Sequence, residues 1–136
     1  MKYLNLILIM AIGFSACTNS NDNNPSGDDI SNVVTGQSDW KVSYYWDKDK
    51  DETSNFASYT FHFKSNGVLE ATRNSTTTTG TWQVDNSSNK LIIQLGAASP
   101  LDDLNDDWII LEKTDKSIKL KDDNTEHSEL LNFSAL

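Results

Sequence analysis

The chain has 136 residues, of which 20 are acidic and 11 basic, so its formal net charge at pH 7 is −9. Nucleic-acid binding depends on Lys and Arg clusters that neutralise phosphates, and the basic pair Lys48 and Lys50 is interleaved with aspartates. We therefore exclude nucleic acid as a partner. The same charge disfavours direct contact with anionic lipid head groups.

The first 16 residues have the three parts of a secretory signal peptide. Lys2 supplies the positive start, an apolar segment runs from Leu4 to Phe14, and the small residues Ser15 and Ala16 precede the expected cleavage point. The apolar segment has 11 residues, whereas a membrane-spanning helix needs about 20. Residues 1–16 are therefore predicted to direct export and to be removed from the mature protein.

Cys17 follows this segment directly and is the only cysteine of the chain. The run Phe14-Ser15-Ala16-Cys17 resembles the lipobox of bacterial lipoproteins, although Phe14 replaces the usual leucine. The resemblance implies that the Cys17 sulfur carries a diacylglycerol and that acyl chains anchor the protein, since each buried methylene contributes about 0.8 kcal/mol. The alternative is a free thiol in a secreted chain, which would be open to oxidation or intermolecular pairing.

Residues 17–37 are predicted to form a flexible tether that begins at the lipidated cysteine. The stretch is rich in Asn, Ser, Asp, Gly and Pro, a composition that buries too little apolar surface to order itself. As a random coil it would span about 25 Å. Its three strongly apolar residues, Ile30, Val33 and Val34, are the ones able to dock onto the following domain, as a short first strand.

Residues 38–136 are predicted to form one all-β domain, because their apolar side chains alternate with the period of two that is typical of half-buried strands. In the first strand Trp40, Val42, Tyr44 and Trp46 are expected on one face and Lys41, Ser43 and Tyr45 on the other. Eight strands are predicted, at 40–46, 59–64, 68–73, 77–84, 91–95, 108–113, 118–121 and 130–133.

The turns between these strands are short and polar. Asn66-Gly67 is a strong hairpin signal, and the only helical turn is expected at Pro100–Leu104, where a proline precedes two acids. Strands about ten residues apart with such turns indicate an antiparallel meander. The pattern allows either a barrel or a two-sheet sandwich.

Most of residues 38–133 resembles a known family. The segments that carry the likeness are Trp40, residues 47–53, the strand 59–63 with Asn66-Gly67 behind it, Gly80-Thr81-Trp82 and residues 104–108. Their order and spacing are similar to those of small Bacteroidetes lipoproteins that carry a lipocalin-like β domain. The resemblance implies an eight-stranded antiparallel up-and-down barrel or sandwich, a cell-envelope location and no established enzymatic activity. Within the envelope, the outer membrane is the expected location. It implies no particular ligand.

An eight-stranded barrel is either filled by its own side chains or holds one small ligand. The candidate lining residues for an apolar or amphipathic ligand are Trp40, Tyr44, Phe61, Phe63, Trp82 and Trp108. The alternative is that these residues pack as the core. Tyr45 has the opposite parity and is expected to be an exposed aromatic.

Asp47, Asp49 and Asp51 have the alternating spacing with which a calcium loop begins. An EF-hand is excluded, because Glu52 stands where the loop needs glycine and Ser58 where it needs a bidentate glutamate. A looser calcium site could combine these acids with Asp102, Asp103, Asp106 or Asp107. The alternative is a solvated acidic loop.

No catalytic constellation is apparent in the sequence. The two histidines, His62 and His127, lie in polar surroundings, and the common nucleophile, zinc and phosphate-binding motifs do not occur. We therefore predict a non-catalytic, membrane-anchored lipoprotein of the bacterial envelope that holds a small apolar or amphipathic ligand. The alternative is a filled barrel whose acidic loops bind an envelope protein or calcium.

Overall fold

The structure, a computed structural model, describes residues 29–37 and 39–136. The predicted signal peptide (1–16), the lipidation at Cys17 and the greater part of the tether lie outside the described residues. No helix in the described ranges is both long enough and apolar enough to cross a membrane.

The described residues form nine strands, one α-helix and two short 3₁₀ helices. The α-helix α1 covers Ile30–Gly36, and the 3₁₀ helices cover Thr53–Phe56 and Leu101–Leu104. The strands are β1 (Trp40–Asp47), β2 (Lys50–Asp51), β3 (Thr60–Phe63), β4 (Val68–Arg73), β5 (Thr76–Asp85), β6 (Lys90–Gln94), β7 (Asp106–Lys113), β8 (Ser117–Lys121) and β9 (Glu129–Ala135). The eight predicted strands and the helical turn after Pro100 are confirmed, but the expectation that this is the only helical turn is wrong, because Thr53–Phe56 and Ile30–Gly36 are helical as well.

Eight of these strands close an antiparallel barrel. Strands β3 to β9 pair in chain order, and β1 closes the ring by pairing with β3 on one side and with β9 on the other. The two-residue β2 only extends β1 as a hairpin. The barrel prediction is therefore confirmed, and the alternative of a two-sheet sandwich is excluded.

The alternation predicted for β1 is wrong beyond Val42. The pairing with β9 shifts between Val42 and Tyr44, where a bulge adds one residue to β1 and reverses the side-chain parity after it. Tyr45 is consequently buried, only 2% exposed, and its hydroxyl donates to the Asp103 carbonyl. Tyr44, predicted to face the interior, is instead half-buried, as is Trp46.

The folded part of the chain begins before residue 38, which corrects the boundary of the predicted tether. Ile30, Val33 and Val34 belong to an α-helix rather than to a short strand, and all three are buried. Asp29 caps this helix by accepting the Ser31 N–H. The apolar residues have the i, i+3, i+4 spacing of one helix face, a periodicity that seven residues were too few to make clear.

Helix α1 lies at the barrel end where β1 begins. The Trp40 indole N–H donates to the Val34 carbonyl at 2.9 Å, and the helix also contacts β3 and β5. We call this the helix end of the barrel. At the opposite end β1 finishes and β9 begins, and Asp47 pairs with Glu129 there. We call this the acidic end.

Aromatic side chains fill the barrel interior. Phe133 packs edge-to-face on Phe61 and on Phe63, with ring centroids 5.5 and 5.7 Å apart, and Phe63 packs in the same way on Trp82 at 5.7 Å. Trp108 is completely buried, and its indole N–H donates to the Leu104 carbonyl. These contacts make one continuous core.

Candidate functional site

Four carboxylates meet at the acidic end because each lies where a strand begins or ends. Asp47 is the last residue of β1, Glu129 is the first of β9, Asp106 is the first of β7, and Asp122 directly follows β8. Neighbouring strands are antiparallel, so these four positions belong to the same end of the barrel. We call Asp47, Asp106, Asp122 and Glu129 the acidic cluster.

Three members of the cluster are close enough to share one ion. Asp106, Asp122 and Glu129 each present a carboxylate oxygen, and these oxygens all lie within 4.8 Å of one another. Asp122 is buried, and its Oδ1 accepts the Asn124 N–H at 2.8 Å, which orients the carboxylate. The Asp122 N–H in turn donates to the Glu129 carbonyl, which ties the end of β8 to β9.

Asp47 adds a buried oxygen with unmet hydrogen-bonding capacity. Its Oδ1 is shielded from solvent and, when Glu129 is ionised, has no hydrogen-bond partner among the described residues. Lys48 Nζ lies 3.9 Å away, beyond hydrogen-bond distance. Asp47 and Glu129 are direct cross-strand partners, and a hydrogen bond between two carboxylates requires a proton on one of them.

The crowding of these acids changes their proton affinity. Burial, reinforced by the charges of Asp47 and Asp122, raises the pKa of Glu129 to about 7. Burial is also the main cause of the raised pKa of Asp106, to which the nearby charge of Asp122 adds. Among the described residues Asp106, Asp122 and Glu129 have no ion pair, and Asp47 has only the long contact with Lys48 at 3.9 Å.

Lys90, which lies near the acidic cluster, forms ion pairs with two acids outside it. Lys90 Nζ binds Asp107 at 2.7 Å and also binds Asp123. The hydrogen bond from Lys90 holds the pKa of Asp107 below its usual range, and the same bonds raise the pKa of Lys90. Asp107 and Asp123 thus share the single positive charge of Lys90, whereas the adjacent Asp106 and Asp122 have no lysine partner among the described residues.

The structure brings together only part of the calcium site predicted from the sequence. Asp47 and Asp106 are members of the acidic cluster, but Asp51 accepts the Thr53 N–H instead and Asp49 lies exposed in the turn after β1. The sequence interpretation did not include Asp122 or Glu129. Their positions could have identified them, since both are acids at the boundary of a predicted strand.

The predicted ligand-lining residues face the interior, with one exception. Trp40, Phe61, Phe63, Trp82 and Trp108 are buried. Tyr44 points away from the interior because of the β1 bulge. The buried members contact other core side chains, so a ligand inside the barrel would have to displace packed rings.

Comparison with known proteins identifies the fold. No family model matches the chain, and no curated protein does. Among solved structures, a DUF4847 family protein from Bacteroides vulgatus ATCC 8482 is similar, with a TM-score of 0.57, 13% sequence identity, and coverage of 78% of this chain and 96% of that chain. That protein is also an eight-stranded antiparallel barrel. At this identity the likeness establishes a shared fold.

Proposed function

We propose that this protein is a non-catalytic binding module of the bacterial envelope, lipid-anchored at Cys17, that binds calcium through the acidic cluster. The observation that carries the calcium proposal is the buried Asp47 Oδ1, which lies opposite Glu129 and, when Glu129 is ionised, has no hydrogen-bond partner among the described residues. Like charges directly opposite each other in a sheet are destabilising. A divalent cation would convert that repulsion into attraction.

The chemistry of the cluster suits a hard cation. Calcium takes six to eight oxygen ligands, and carboxylates are its main protein ligands. Asp106, Asp122 and Glu129 converge on one point, and Asp47 lies beside Glu129. The remaining coordination positions would be filled by water or by oxygens of a partner protein, which gives the module a route to calcium-dependent association.

Binding at the surface accords better with the structure than binding in the lumen. The interior is packed with edge-to-face aromatic pairs, and removing such packing typically costs several kcal/mol per large side chain. The acidic end requires no such displacement, because its carboxylates are already grouped. The small apolar ligand predicted from the sequence has no comparable support.

Thermal unfolding with and without calcium tests the proposal. At pH 7.5, millimolar CaCl₂ should raise the Tm of the mature protein by about 5 °C relative to a chelator-treated sample, because a ligand that binds only the folded state stabilises it by mass action. The salt control is NaCl of equal ionic strength. It should give less than half of this increase, since monovalent ions only screen the charges.

Matched variants distinguish a site from general charge screening. Asp106→Asn should abolish the calcium-dependent increase in Tm. Asp115→Asn should retain it, because Asp115 is exposed in the turn between β7 and β8 at the other end of the barrel. Equal responses of the two variants, or an unchanged Tm for the wild type, would exclude the calcium site.

A further inference from the structure

The only arginine of this acidic chain has no acidic partner among the residues that the structure describes. Arg73 is the last residue of β4. Its guanidinium carbon lies 4.8 Å from the centre of the Tyr59 ring, which is the geometry of a cation–π contact. Within residues 29–37 and 39–136, all seven ion pairs involve Lys or His, and no hydrogen bond uses the Arg73 donors. Five N–H groups therefore remain available.

Arg73 lines a cavity of about 300 Å³. The cavity lies where β3 and β5 begin and β4 ends, close to the 3₁₀ helix Leu101–Leu104. Tyr59 and Leu101 supply apolar surface, and the polar groups come from Asn74, Thr76, Thr78 and Ser99. None of the lining residues is acidic, although the chain has 20 acids.

The strand pattern explains why these groups converge. Leu69 and Ala71 are buried on β4, so Arg73 has the parity of interior-facing residues. Thr76 and Thr78 share the face of β5 that buries Trp82. The tight turn at Asn74 and Ser75, both with positive φ, places Arg73 directly opposite Thr76. The cavity is therefore the rim of the barrel interior, above the packed core.

We propose that this cavity binds a small hydroxylated carboxylate, such as a sugar acid. A guanidinium matches the two oxygens of a carboxylate through paired hydrogen bonds. Side-chain hydroxyls of Thr76, Thr78 and Ser99, and the amide of Asn74, can exchange hydrogen bonds with ligand hydroxyls. The volume lies at the lower limit of typical ligand pockets, which restricts the ligand to about one sugar ring.

The contact with Tyr59 prepares Arg73 for this role. Arginine has several rotatable bonds, and fixing such a side chain on binding has an entropic cost. Stacking on Tyr59 holds the guanidinium at the cavity before a ligand arrives. Tyr59 is itself 7% exposed and packs against Phe61 in the core, so the platform is rigid.

Amide chemical-shift titrations of the mature protein with D-glucuronate, glycolate and tartrate test the proposal. A chelator is present throughout, so that the calcium site proposed above cannot contribute. At least one of the three acids should shift the resonances of Arg73, Asn74 and Ser99 in a saturable manner. D-glucose, which matches D-glucuronate but lacks the carboxylate, should produce no saturable shift.

Variants provide the controls. Arg73→Gln should weaken binding of the responding acid by about tenfold or more, the effect of losing a charge-assisted hydrogen-bond pair. Lys116→Gln removes one positive charge from an exposed turn at the far end of the barrel and should leave the affinity unchanged. Absence of saturable shifts with all three acids, an equal response to glucose, or unchanged affinity in a folded Arg73→Gln protein would overturn the proposal.

Discussion

Asp47 and Glu129 are direct partners across β1 and β9, and both side chains are carboxylic acids. Burial is the main cause of the raised pKa of Glu129, about 7, and the charge of Asp47 adds to it. Such a pair can be relieved by a proton, by a cation, or by removing one charge. Each route should stabilise the folded protein.

If a proton relieves the pair, the stability of the folded protein should increase as the pH falls. The folded-state pKa of Glu129 lies above its ordinary value of 4.5, so between about pH 4.5 and 7 the folded protein binds more protons than the unfolded one. Without calcium, Tm should therefore fall as the pH rises through this window. The raised pKa of Asp106 acts in the same direction. Unfolding scans from about pH 5 to 8 measure the effect.

Glu129→Gln tests the residue responsible. Glutamine removes the charge and can donate a hydrogen bond to the buried Asp47 Oδ1. With a chelator present, Tm at pH 8 should rise by about 4 °C, and most of the fall between pH 5 and 8 should disappear. The exposed Asp115→Asn changes the charge equally and should do neither. A lower Tm for Glu129→Gln at pH 8 would show that the pair is not under strain.

At the scale of secondary structure, the irregular positions of the strands decide where side chains point. The bulge in β1 exchanges Tyr44 for Tyr45 in the interior. Period-two alternation predicted the strand but not this exchange. Consecutive aromatic residues can face either side of a strand, so the sequence does not show where the extra residue is inserted. The short helix α1 was not predicted, because seven residues are too few to make its i, i+3, i+4 periodicity clear and its polar flanks resemble those of a disordered segment.

Gly80 on β5 packs against the backbone at the end of β6. A Cβ at this position would lie 2.0 Å from the Gln94 carbonyl oxygen, which is backbone and cannot rotate away. Gly80→Ala should therefore destabilise the barrel by about 2–3 kcal/mol, as overpacking does, and lower Tm by about 10 °C. Gly36→Ala is the matched control, because its Cβ would meet nothing within 4 Å. Comparable losses in the two variants would contradict this explanation.

At the scale of the whole molecule, the sequence predicted the barrel because its strand pattern is regular and its turns are explicit. Asn66-Gly67 and the alternation of Tyr59, Phe61 and Phe63 are local signals, and the structure follows both. The acidic cluster is different. Asp47, Asp106, Asp122 and Glu129 are distant in sequence and meet only through barrel closure, so residue spacing could identify just two of them.

The proposed anchor predicts where the protein is found. Cys17→Ser should remove the acceptor sulfur for the lipid and release the protein from membranes into the soluble envelope fraction, because the remaining chain carries no basic patch for anionic lipids. Fractionation followed by intact-mass measurement checks both location and acylation. A Cys17→Ser protein that stays in the membrane fraction at wild-type levels would contradict lipid anchoring.

Calorimetric titration of calcium into the chelator-stripped mature protein tests the central claim most directly. We predict a saturable heat with one calcium per chain at pH 7.5, and no saturable heat for Asp106→Asn or Glu129→Gln. Proton release on binding should accompany it, because the cation displaces the proton that the raised pKa of Glu129 retains. The absence of saturable heat at millimolar calcium, or an unaltered titration in either variant, would contradict the account.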